Sequence, residues 1–314
     1  MADWHSHANL DEPTVEALLR EQLPDLAGQP VRHLKEGWDS RVYEVGGRWI
    51  LRFPKRAEIE ERLDIERSLL ATVAPELSVP VPRMVLDGAP SARFPFRFAG
   101  YAKLPGTEAR QARPEQLGPQ VCRQLATFLG QLHGVPLAVA RACGVQHYGW
   151  RAPARMRQRA LLALNEIEGA LTPAQRAACR AFVDTECEET AATSPPEGGW
   201  RLLHNDLSSE HILLDEGRGQ ITGIIDWTDV EIGDPAVDFT GIYHHLGEAG
   251  ARQVLAHYPL PADEALIRRA RFFAGCIGLF EMSHGQATGR ADEWADGLRA
   301  LALVGVDLSA KAPA

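Results

Sequence analysis

Residues 201–239 read RLLHNDLSSEHILLDEGRGQITGIIDWTDVEIGDPAVDF and decide the fold of the second half of the chain. The apolar segments RLLH and HILLD bracket a loop, and GQITGIIDW is a strand that enters a second loop. We expect HILLD and GQITGIIDW to form a hairpin through the DEGRG turn, which sets the two loops side by side. Asp206, His211 and Asp226 then reach one site. The alternative is that they are solvated turn residues, although both aspartates stand at strand ends among apolar neighbours.

These three side chains match the requirements of phosphoryl transfer from a nucleotide. One carboxylate accepts the proton of the substrate hydroxyl, while a second carboxylate and a neighbouring ligand hold Mg²⁺ on the phosphates. A zinc hydrolase would favour paired histidines on a helix or an HxH strand instead. The spacing HxDx₄H is moderately specific by itself, and the IIDW segment that follows it strengthens the interpretation.

Composition indicates a globular protein with room for two lobes. The 314 residues are 45% hydrophobic and 24% charged, and the net charge of −9 is concentrated after residue 200, where 17 acids accompany 9 bases. Nucleic acid is disfavoured as a partner because phosphate binding needs a basic face. The acidic part is either a solvated surface or a means of attracting a cation.

Neither secretion nor membrane insertion is indicated by the sequence. The first residues lack the basic and apolar regions of a signal peptide, and FFAGCIGLF is too short to span a bilayer. The five cysteines are scattered without a CxxC pattern, which is typical of reduced thiols. We expect a cytoplasmic monomer.

The first part of the chain predicts a small antiparallel sheet flanked by helices. DEPTVEALLREQLP and residues 55–75 carry apolar residues at helical spacing. Gly46-Gly47 is a two-residue turn between a β-rich run and the strand WILRF. FPFRFAGYAKLPG suggests further strands that end at Pro105-Gly106.

Helical patterns dominate after residue 106. They cover EQLGPQVCRQLATFLGQLHGVP, ARMRQRALLALNEIEGAL, PAQRAACRAFVDTECEET and DEALIRRARFFAGCIGLFEMSHG, and only residues 201–226 interrupt them with strands. We therefore expect a small β-rich lobe over residues 1–105, a hinge at about 100–106 and a larger helical lobe over residues 106–314.

HNDLSSEHILLD and TGIIDWTDVEIGDPAVDF resemble the catalytic core of the aminoglycoside and macrolide phosphotransferase family, relatives of eukaryotic-type protein kinases. The similarity extends to EGWDSRVYEVGGRWILRFPK, GYAKLPG and LATFLGQLHGVP, and so covers nearly the whole chain. It implies an α+β, bilobal protein-kinase-like fold with a small antiparallel β-rich N-lobe and a larger, mainly helical C-lobe. It also implies that Asp206 is the catalytic base, that His211 (replacing the kinase Asn) and Asp226 bind Mg²⁺, and that His204 is structural.

In the N-lobe the resemblance implies a nucleotide site. The family has a phosphate-contacting Lys at the position of Arg52, paired with a helix Glu that corresponds to Glu66. Arg keeps the charge and can bind phosphate and carboxylate in a fork. Lys55 is the rival phosphate ligand, and a surface role for Arg52 is the other alternative. Gly37 and Ser40 belong to the loop KEGWDSR, which has one glycine instead of GxGxxG.

The donor is ATP or GTP. We expect the hinge residues Tyr101, Lys103 and Leu104 to bind the base through backbone groups, so the sequence does not choose between the two nucleotides. Beyond the core, Asp234 followed by Pro235 is typical of an N-cap. Asp238 is either a helix-surface acid or a support for the catalytic loop.

The acceptor favoured by the resemblance is an aminoglycoside, a polycation that such enzymes bind with acidic side chains. Each acid concerned is individually also consistent with a solvated helix surface. The candidate substrate-binding residues are Asp229, Glu231, Glu248, Glu281, Asp292, Glu293, Asp296 and the aromatic Trp294.

A macrolide 2′-phosphotransferase is the alternative, because IIDWTD, LRFPKRAE and HHLGEAG resemble those enzymes and FFAGCIGLFEM could line an apolar pocket. A sugar or choline-like kinase of the same superfamily, and a kinase-fold binding module without activity, are further alternatives. The base and both metal positions are intact, which disfavours the module. We predict an antibiotic-resistance enzyme that transfers the nucleotide γ-phosphate to an aminoglycoside hydroxyl with Mg²⁺.

Overall fold

The computed structural model of the protein describes residues 10–37, 39–112, 117–215, 217, 219–262, 264–306 and 308. Parts of several predicted features lie outside these residues. They are the N-terminal segment 1–9, Trp38 of the KEGWDSR loop, Glu115 and Gln116 at the start of a predicted helix, Glu216 and Arg218 of the DEGRG turn, and Asp263 at another helix start.

A five-stranded antiparallel sheet forms the N-terminal part. Its strands are β1 (Val31–Glu36), β2 (Ser40–Val45), β3 (Trp49–Pro54), β4 (Leu86–Gly88) and β5 (Phe98–Ala102), in the order β1-β2-β3-β5-β4. Gly46 and Gly47 turn between β2 and β3 with φ of 60° and 66°, a left-handed conformation that favours glycine. The helices α1 (Glu12–Gln22) and α2 (Ala57–Val73) accompany the sheet, so this predicted arrangement is confirmed.

Helices dominate the remainder of the described chain. They are α3 (Pro119–His133), α4 (Leu137–Ala142), α5 (Pro153–Glu166), α6 (Pro173–Thr193), α7 (Thr240–Leu255), α8 (Glu264–Thr288) and α9 (Ala291–Leu303). The predicted helices at α3, α5, α6 and α8 are confirmed. The fold is therefore α+β, with an antiparallel sheet followed by a helical region.

Short strands interrupt the helical region. They are β6 (Thr107–Glu108), β7 (Arg201–Leu203), β8 (Ile212–Leu214), β9 (Ile221–Ile224) and β10 (Glu231–Gly233). β8 and β9 pair antiparallel with Ile212 opposite Ile224, which confirms the predicted hairpin. The expectation of strands only within 201–226 is wrong, because β6 pairs with β8 and β10 pairs with β7. Two- and three-residue strands are too short to show an alternating pattern.

Two groups of buried apolar side chains stabilise the molecule. The smaller group lies in the N-terminal part and includes Tyr43, Phe53 and Phe98. The larger group fills the helical part and also takes in Leu70 and Val73 from the end of α2. Because α2 contributes to the core of the helical part, the two groups of buried side chains do not separate at residue 105. The division into two lobes at that residue therefore stays a proposal.

Two further sequence-based expectations concern the cysteines and the helices. All five cysteines are free, and four of them are buried. Within the described ranges, no helix combines the length and apolar composition needed to cross a bilayer.

Candidate active site

A tight loop between β7 and β8, residues 204–211, presents Asp206. The backbone N–H groups of His204 and Asn205 donate to the buried carboxylate of Asp238 at 2.9 and 2.7 Å. Asn205 has φ of 68°, in the left-handed region that Asn tolerates better than most residues. The Asp206 side chain remains 37% exposed. Asp238 is thus a support for the 204–211 loop and not a helix-surface acid.

His204 supports the same loop from inside the protein. Its Nε2 donates to the carbonyl of Ile225 at 3.0 Å, and its Nδ1 accepts from the backbone N–H of Asp206 at 3.3 Å. Complete burial lowers the pKa of His204, against the opposing effect of Asp238. A neutral imidazole that bridges two backbone segments follows from this geometry.

Asp206, His211 and Asp226 lie together, as the hairpin predicts. Asp206 Oδ2 is 3.4 Å from His211 Nδ1, and Asp226 Oδ2 is 3.5 Å from His211 Nε2. Burial alone would lower the pKa of His211, but the two carboxylates raise it above its usual value. Burial would raise the pKa of Asp226, but Arg52 and His211 hold it well below its usual range.

The chemistry of His211 and Asp226 fits a Mg²⁺ ion shared with nucleotide phosphates. His211 Nδ1 donates to the carbonyl of Asp206 at 2.7 Å, which turns Nε2 toward Asp226. Among the residues described, no group of three or more His, Cys, Asp or Glu side chains could hold a metal. Mg²⁺ commonly takes one or two carboxylates and completes its shell with phosphate and water oxygens. His211 and Asp226 would therefore depend on a bound substrate for the other ligands.

Arg52 links the sheet to Asp226. Its Nη1 donates to both oxygens of the buried Glu66 at 3.1 and 2.9 Å, and its Nη2 donates to Asp226 Oδ1 at 3.0 Å and to Thr228 Oγ1. Burial would lower the pKa of Arg52, but Glu66 and Asp226 raise it. Arg52 is only 5% exposed, so the surface alternative for this residue is wrong.

Lys55 and the KEGWDSR loop lie beside this pair. Lys55 Nζ donates to the carbonyl of Gly37 at 2.5 Å and pairs with Glu36 at 2.7 Å. Gly37 N–H donates to the carbonyl of Ser40 at 3.0 Å, which closes the loop. The buried hydroxyl of Ser40 has no hydrogen-bond partner within the described part of the chain. Lys55 therefore ties the loop to the end of β3.

The predicted hinge residues follow β5. Tyr101 is buried and pairs with Ile50 in the sheet. Lys103 donates its backbone N–H to the carbonyl of Arg48 at 2.8 Å, and its Nζ pairs with Glu44. Leu104 packs on Gly223 of β9, at the junction between the sheet and the β8–β9 hairpin. Base binding by these residues remains a prediction.

Asp229 forms an ion pair with an arginine of α2. Arg62 on α2 donates to Asp229 Oδ1 at 3.0 Å and lies 3.8 Å from Asp39. Its guanidinium also lies over the ring of Trp150, 4.3 Å from the centroid. An acceptor ammonium group that binds Asp229 would have to share or displace Arg62.

Glu231 is buried and fully used in holding loops together. Its Oε1 accepts from the backbone N–H groups of Tyr148 and Gly149 at 2.8 and 2.6 Å, and its Oε2 accepts from Asn205 Nδ2 at 3.3 Å. With an exposure of 3%, this carboxylate is not open to an acceptor. The expected substrate contact of Glu231 is thus corrected to a structural one.

The remaining acidic candidates have local basic partners. The pairs are Glu248 with Arg252, Glu281 with His244, Asp292 and Glu293 with Arg290, and Asp296 with Arg299. Trp294 is half-buried and packs against the larger core. Phe272, Phe273 and most of the following residues of α8 are buried in that core, so FFAGCIGLFEM does not line an open apolar pocket.

Asp234 occupies a capping position. Its side chain accepts from the N–H of Ala236 at 3.0 Å, with Pro235 at the first position of a short 3₁₀ turn. Arg269 donates to both of its oxygens at 2.7 and 3.1 Å. The carboxylate is therefore occupied by structural contacts.

Arg62, Arg151 and Thr228 were not singled out from the sequence. Arg151 Nη2 lies 3.9 Å from Asp206 Oδ1, and Thr228 contacts Asp226, Glu66 and Arg52. Thr228 lies two residues after Asp226 in IIDWTD, so the sequence itself indicated that Thr228 is close to Asp226. Arg62 and Arg151 lie far from the motif in the chain, and nothing in their local sequence distinguishes them.

Comparison with known proteins places this geometry in context. The model of the phosphotransferase enzyme family APH matches residues 30–273. The uncharacterised protein YcbJ of Bacillus subtilis is 27% identical over 228 residues, which are 68% of this chain and 69% of that protein. Viomycin phosphotransferase of Streptomyces vinaceus is 33% identical over 115 residues, which are 36% of this chain and 40% of that protein.

Solved structures share the whole architecture. The GDP complex of aminoglycoside 2′-phosphotransferase-IIIa superposes with a TM-score of 0.73 at 25% identity, covering 94% of this chain and 98% of that one. Macrolide 2′-phosphotransferase MphH of Brachybacterium faecium gives 0.59 at 27% identity, covering 91% of this chain and 98% of that one. The chain therefore belongs to the APH phosphotransferase enzyme family.

Proposed function

We propose that the protein transfers the γ-phosphate of ATP or GTP to a hydroxyl of an aminoglycoside, with Mg²⁺, and so confers antibiotic resistance. The observation that carries the proposal is the convergence of Asp206, His211 and Asp226 opposite the buried Arg52–Glu66 pair. A base, two metal ligands and a phosphate-binding cation are the parts that this reaction needs. The proposed enzyme is a cytoplasmic monomer with a nucleotide-binding N-lobe.

In this mechanism Asp206 accepts the proton of the acceptor hydroxyl. The hydroxyl oxygen forms a bond to the γ-phosphorus, the bond from that phosphorus to the β-phosphate oxygen breaks, and the nucleoside diphosphate leaves. The exposed carboxylate of Asp206 is open to a hydroxyl, and His211 fixes the loop beside it. Bound Mg²⁺ would supply charge neutralisation on the phosphates, held by His211 and Asp226.

The acceptor is proposed from similarity together with Asp229. The aminoglycoside enzyme of the GDP complex, which is 25% identical to this chain and superposes with a TM-score of 0.73, supports this acceptor. Asp229 offers a partly exposed carboxylate near the base and would bind an acceptor ammonium group. A macrolide remains the second candidate, because MphH is 27% identical to this chain. The GDP in the aminoglycoside enzyme supports GTP as one of the two donors to test.

A coupled transfer assay with ATP and GTP against aminoglycosides, macrolides and viomycin tests this function. We expect saturable turnover with an aminoglycoside, and we expect Asp206→Asn to lower kcat by about 10²–10⁴-fold, the usual contribution of a general base. Asp184→Asn is the matched control, since Asp184 pairs with Arg157 on the surface. Turnover with macrolides alone would select the second candidate. No transfer to any antibiotic, with transfer to a sugar or choline, would replace the resistance function with a metabolic one.

A further inference from the structure

The loop between α4 and α5 is fixed to the active site by Glu231. The backbone N–H groups of Tyr148 and Gly149 both donate to Glu231 Oε1, and Ile232 N–H donates to the carbonyl of Gln146 at 2.9 Å. Gly149 has φ of +66°, so a side chain at this position would strain the turn. The other oxygen of Glu231 binds Asn205, the residue before the base. One buried carboxylate thus aligns the 146–149 segment with the 204–211 loop.

Because the two segments are aligned in this way, the side chain of Arg151 lies next to Asp206. Arg151 Nη2 donates to the carbonyl of Asn205 at 3.2 Å and lies 3.9 Å from Asp206 Oδ1. The side chain is 19% exposed, so its guanidinium is held against the loop while part of it faces solvent. The separation of 3.9 Å is an ion pair without a direct hydrogen bond, which leaves Asp206 able to accept a proton.

Three other basic side chains of the site already have partners. Arg52 binds Glu66 and Asp226, Lys55 binds the loop at Gly37, and Arg62 binds Asp229. The segment DLSSEH at 206–211 contains no Lys or Arg. Charge develops on the transferred phosphoryl oxygens during the reaction, and fixed cations stabilise it. On the acceptor side of the site, Arg151 is placed to provide such a cation.

We propose that Arg151 is a phosphoryl-contacting residue that stabilises the transferred phosphoryl group beside Asp206. The proposal rests on the proposed phosphotransferase function and adds a residue to it. Arg151 remains protonated throughout. The proton of the acceptor hydroxyl goes to Asp206, and the leaving group is the nucleoside diphosphate. The same arginine also holds the backbone next to Asp206, because it donates to the carbonyl of Asn205.

Binding of a transition-state analogue tests the contact without an acceptor. Isothermal titration would compare ADP and GDP, each with Mg²⁺, in the presence and absence of aluminium fluoride. We expect Arg151→Ala to weaken binding of the aluminium fluoride complex by about 10²–10³-fold, the usual effect of losing one transition-state contact. Binding of the diphosphate alone should stay within about threefold, because in the proposed contact Arg151 acts only on the transferred group.

Two variants keep the result interpretable. Arg155→Ala removes an exposed arginine in the first turn of α5, shortly after Arg151, and should leave both affinities unchanged. Arg151→Lys keeps the charge and should recover part of the lost affinity, while guanidinium ion should partly restore transfer by Arg151→Ala. An Arg151→Ala protein that binds the analogue as the wild type does would overturn the proposal. Equal losses for the diphosphate and the analogue, or in Arg155→Ala, would overturn it as well.

Failure of the broader function gives a different result. A wild-type protein that binds the analogue tightly but transfers phosphate to no antibiotic contradicts the acceptor assignment and leaves the Arg151 contact measurable. A wild-type protein that binds neither diphosphate nor analogue contradicts both proposals.

Discussion

At the scale of single residues, the site depends on two non-glycine residues with positive φ. Asn205 and Asp226 have φ of 68° and 64°, a conformation that costs roughly 1–3 kcal/mol each. At Asn205 the cost is offset by buried hydrogen bonds, which Asp238 and the Asn205 side chain provide. Asn205 Nδ2 donates to the carbonyl of Asp229 at 3.0 Å, so the two loops hold each other.

Asp238→Asn tests this support. The Asp238 carboxylate is contacted by three groups, which are the N–H of His204, the N–H of Asn205 and Nε2 of His133. The amide of Asn would keep one acceptor oxygen, but its NH₂ group would face donors instead of acceptors. We expect a loss of about 2–4 kcal/mol in the free energy of unfolding, because charged hydrogen bonds are lost and buried donors stay unsatisfied. Urea unfolding measures it. The kcat of the folded variant should also fall, with Asp184→Asn as the control, and wild-type values of both would contradict the supporting role.

His245 on α7 predicts a dependence of stability on pH. Burial, with a smaller effect of Arg299, lowers its pKa from 6.5 to about 4 in the folded protein. The stability that the neutral ring contributes is therefore complete above the unfolded pKa and is lost as pH falls from 6.5 toward 4. Between about pH 7 and about pH 4.5, the free energy of unfolding of His245→Gln should fall by about 2 kcal/mol less than that of the wild type, as measured by urea unfolding. The exposed His257→Gln is the control, and parallel pH profiles for wild type and His245→Gln would refute the assignment.

At the scale of elements, α7 packs directly on the 204–211 loop through Gly241. A Cβ at Gly241 would lie 1.9 Å from the carbonyl oxygen of Leu207 and 2.9 Å from the Cα of Ser208. Both neighbours are backbone, so the loop itself would have to move. The close contact of α7 with the backbone of the 204–211 loop therefore fixes the position of Asp206.

Gly241→Ala should lower kcat by about tenfold or more, because small displacements of a catalytic group are costly, and lower stability by about 1–3 kcal/mol through overpacking. Steady-state kinetics and thermal melting measure the two effects. Gly169→Ala is the control, since nothing lies within 4 Å of a Cβ there. Unchanged kcat in Gly241→Ala would show that the loop is positioned by other contacts.

At the scale of the whole molecule, Arg52 connects the sheet with α2 and with Asp226. It pairs with Glu66 and with Asp226, 174 residues further along the chain. Removing one partner of a buried ion pair leaves an uncompensated charge, which costs about 3–5 kcal/mol. In the proposed nucleotide site, Arg52 would therefore couple stability to nucleotide binding.

Arg52→Met should show both effects in thermal shift experiments. The variant should melt lower than the wild type, and Mg²⁺ with ATP or GTP should no longer raise its melting temperature. For the wild type, nucleotide at 100 times its Kd adds about 2.7 kcal/mol. The double variant Arg52→Met, Glu66→Leu should regain stability without regaining the nucleotide effect. A full nucleotide shift in Arg52→Met would show that another cation, such as Lys55, binds the phosphates.

Local pattern was sufficient for much of the fold and for the centre of the site. Helical periodicity located α2, α3, α5, α6 and α8, and Gly46-Gly47 located the β2–β3 turn, because these signals lie within a few residues. The β8–β9 hairpin brings His211 to Asp206 and Asp226 for the same reason. The strands β6 and β10, which the sequence did not predict, carry only two and three residues, which is too few for a period to be recognised.

By itself, then, the sequence determined the α+β order of elements, the hairpin and the Asp206–His211–Asp226 group. Only the tertiary structure decided that Glu231 holds two loops, that Asp238 supports the 204–211 loop, and that Arg151 reaches Asp206. The physical reason is that the sequence gives the residue type but does not show whether an acidic side chain is exposed or is buried with all its hydrogen bonds made. Their difference lies in partners that are 82 residues away for Glu231 and Gly149, or 34 for Asp238 and His204. No local period encodes such partners, and packing alone brings them together.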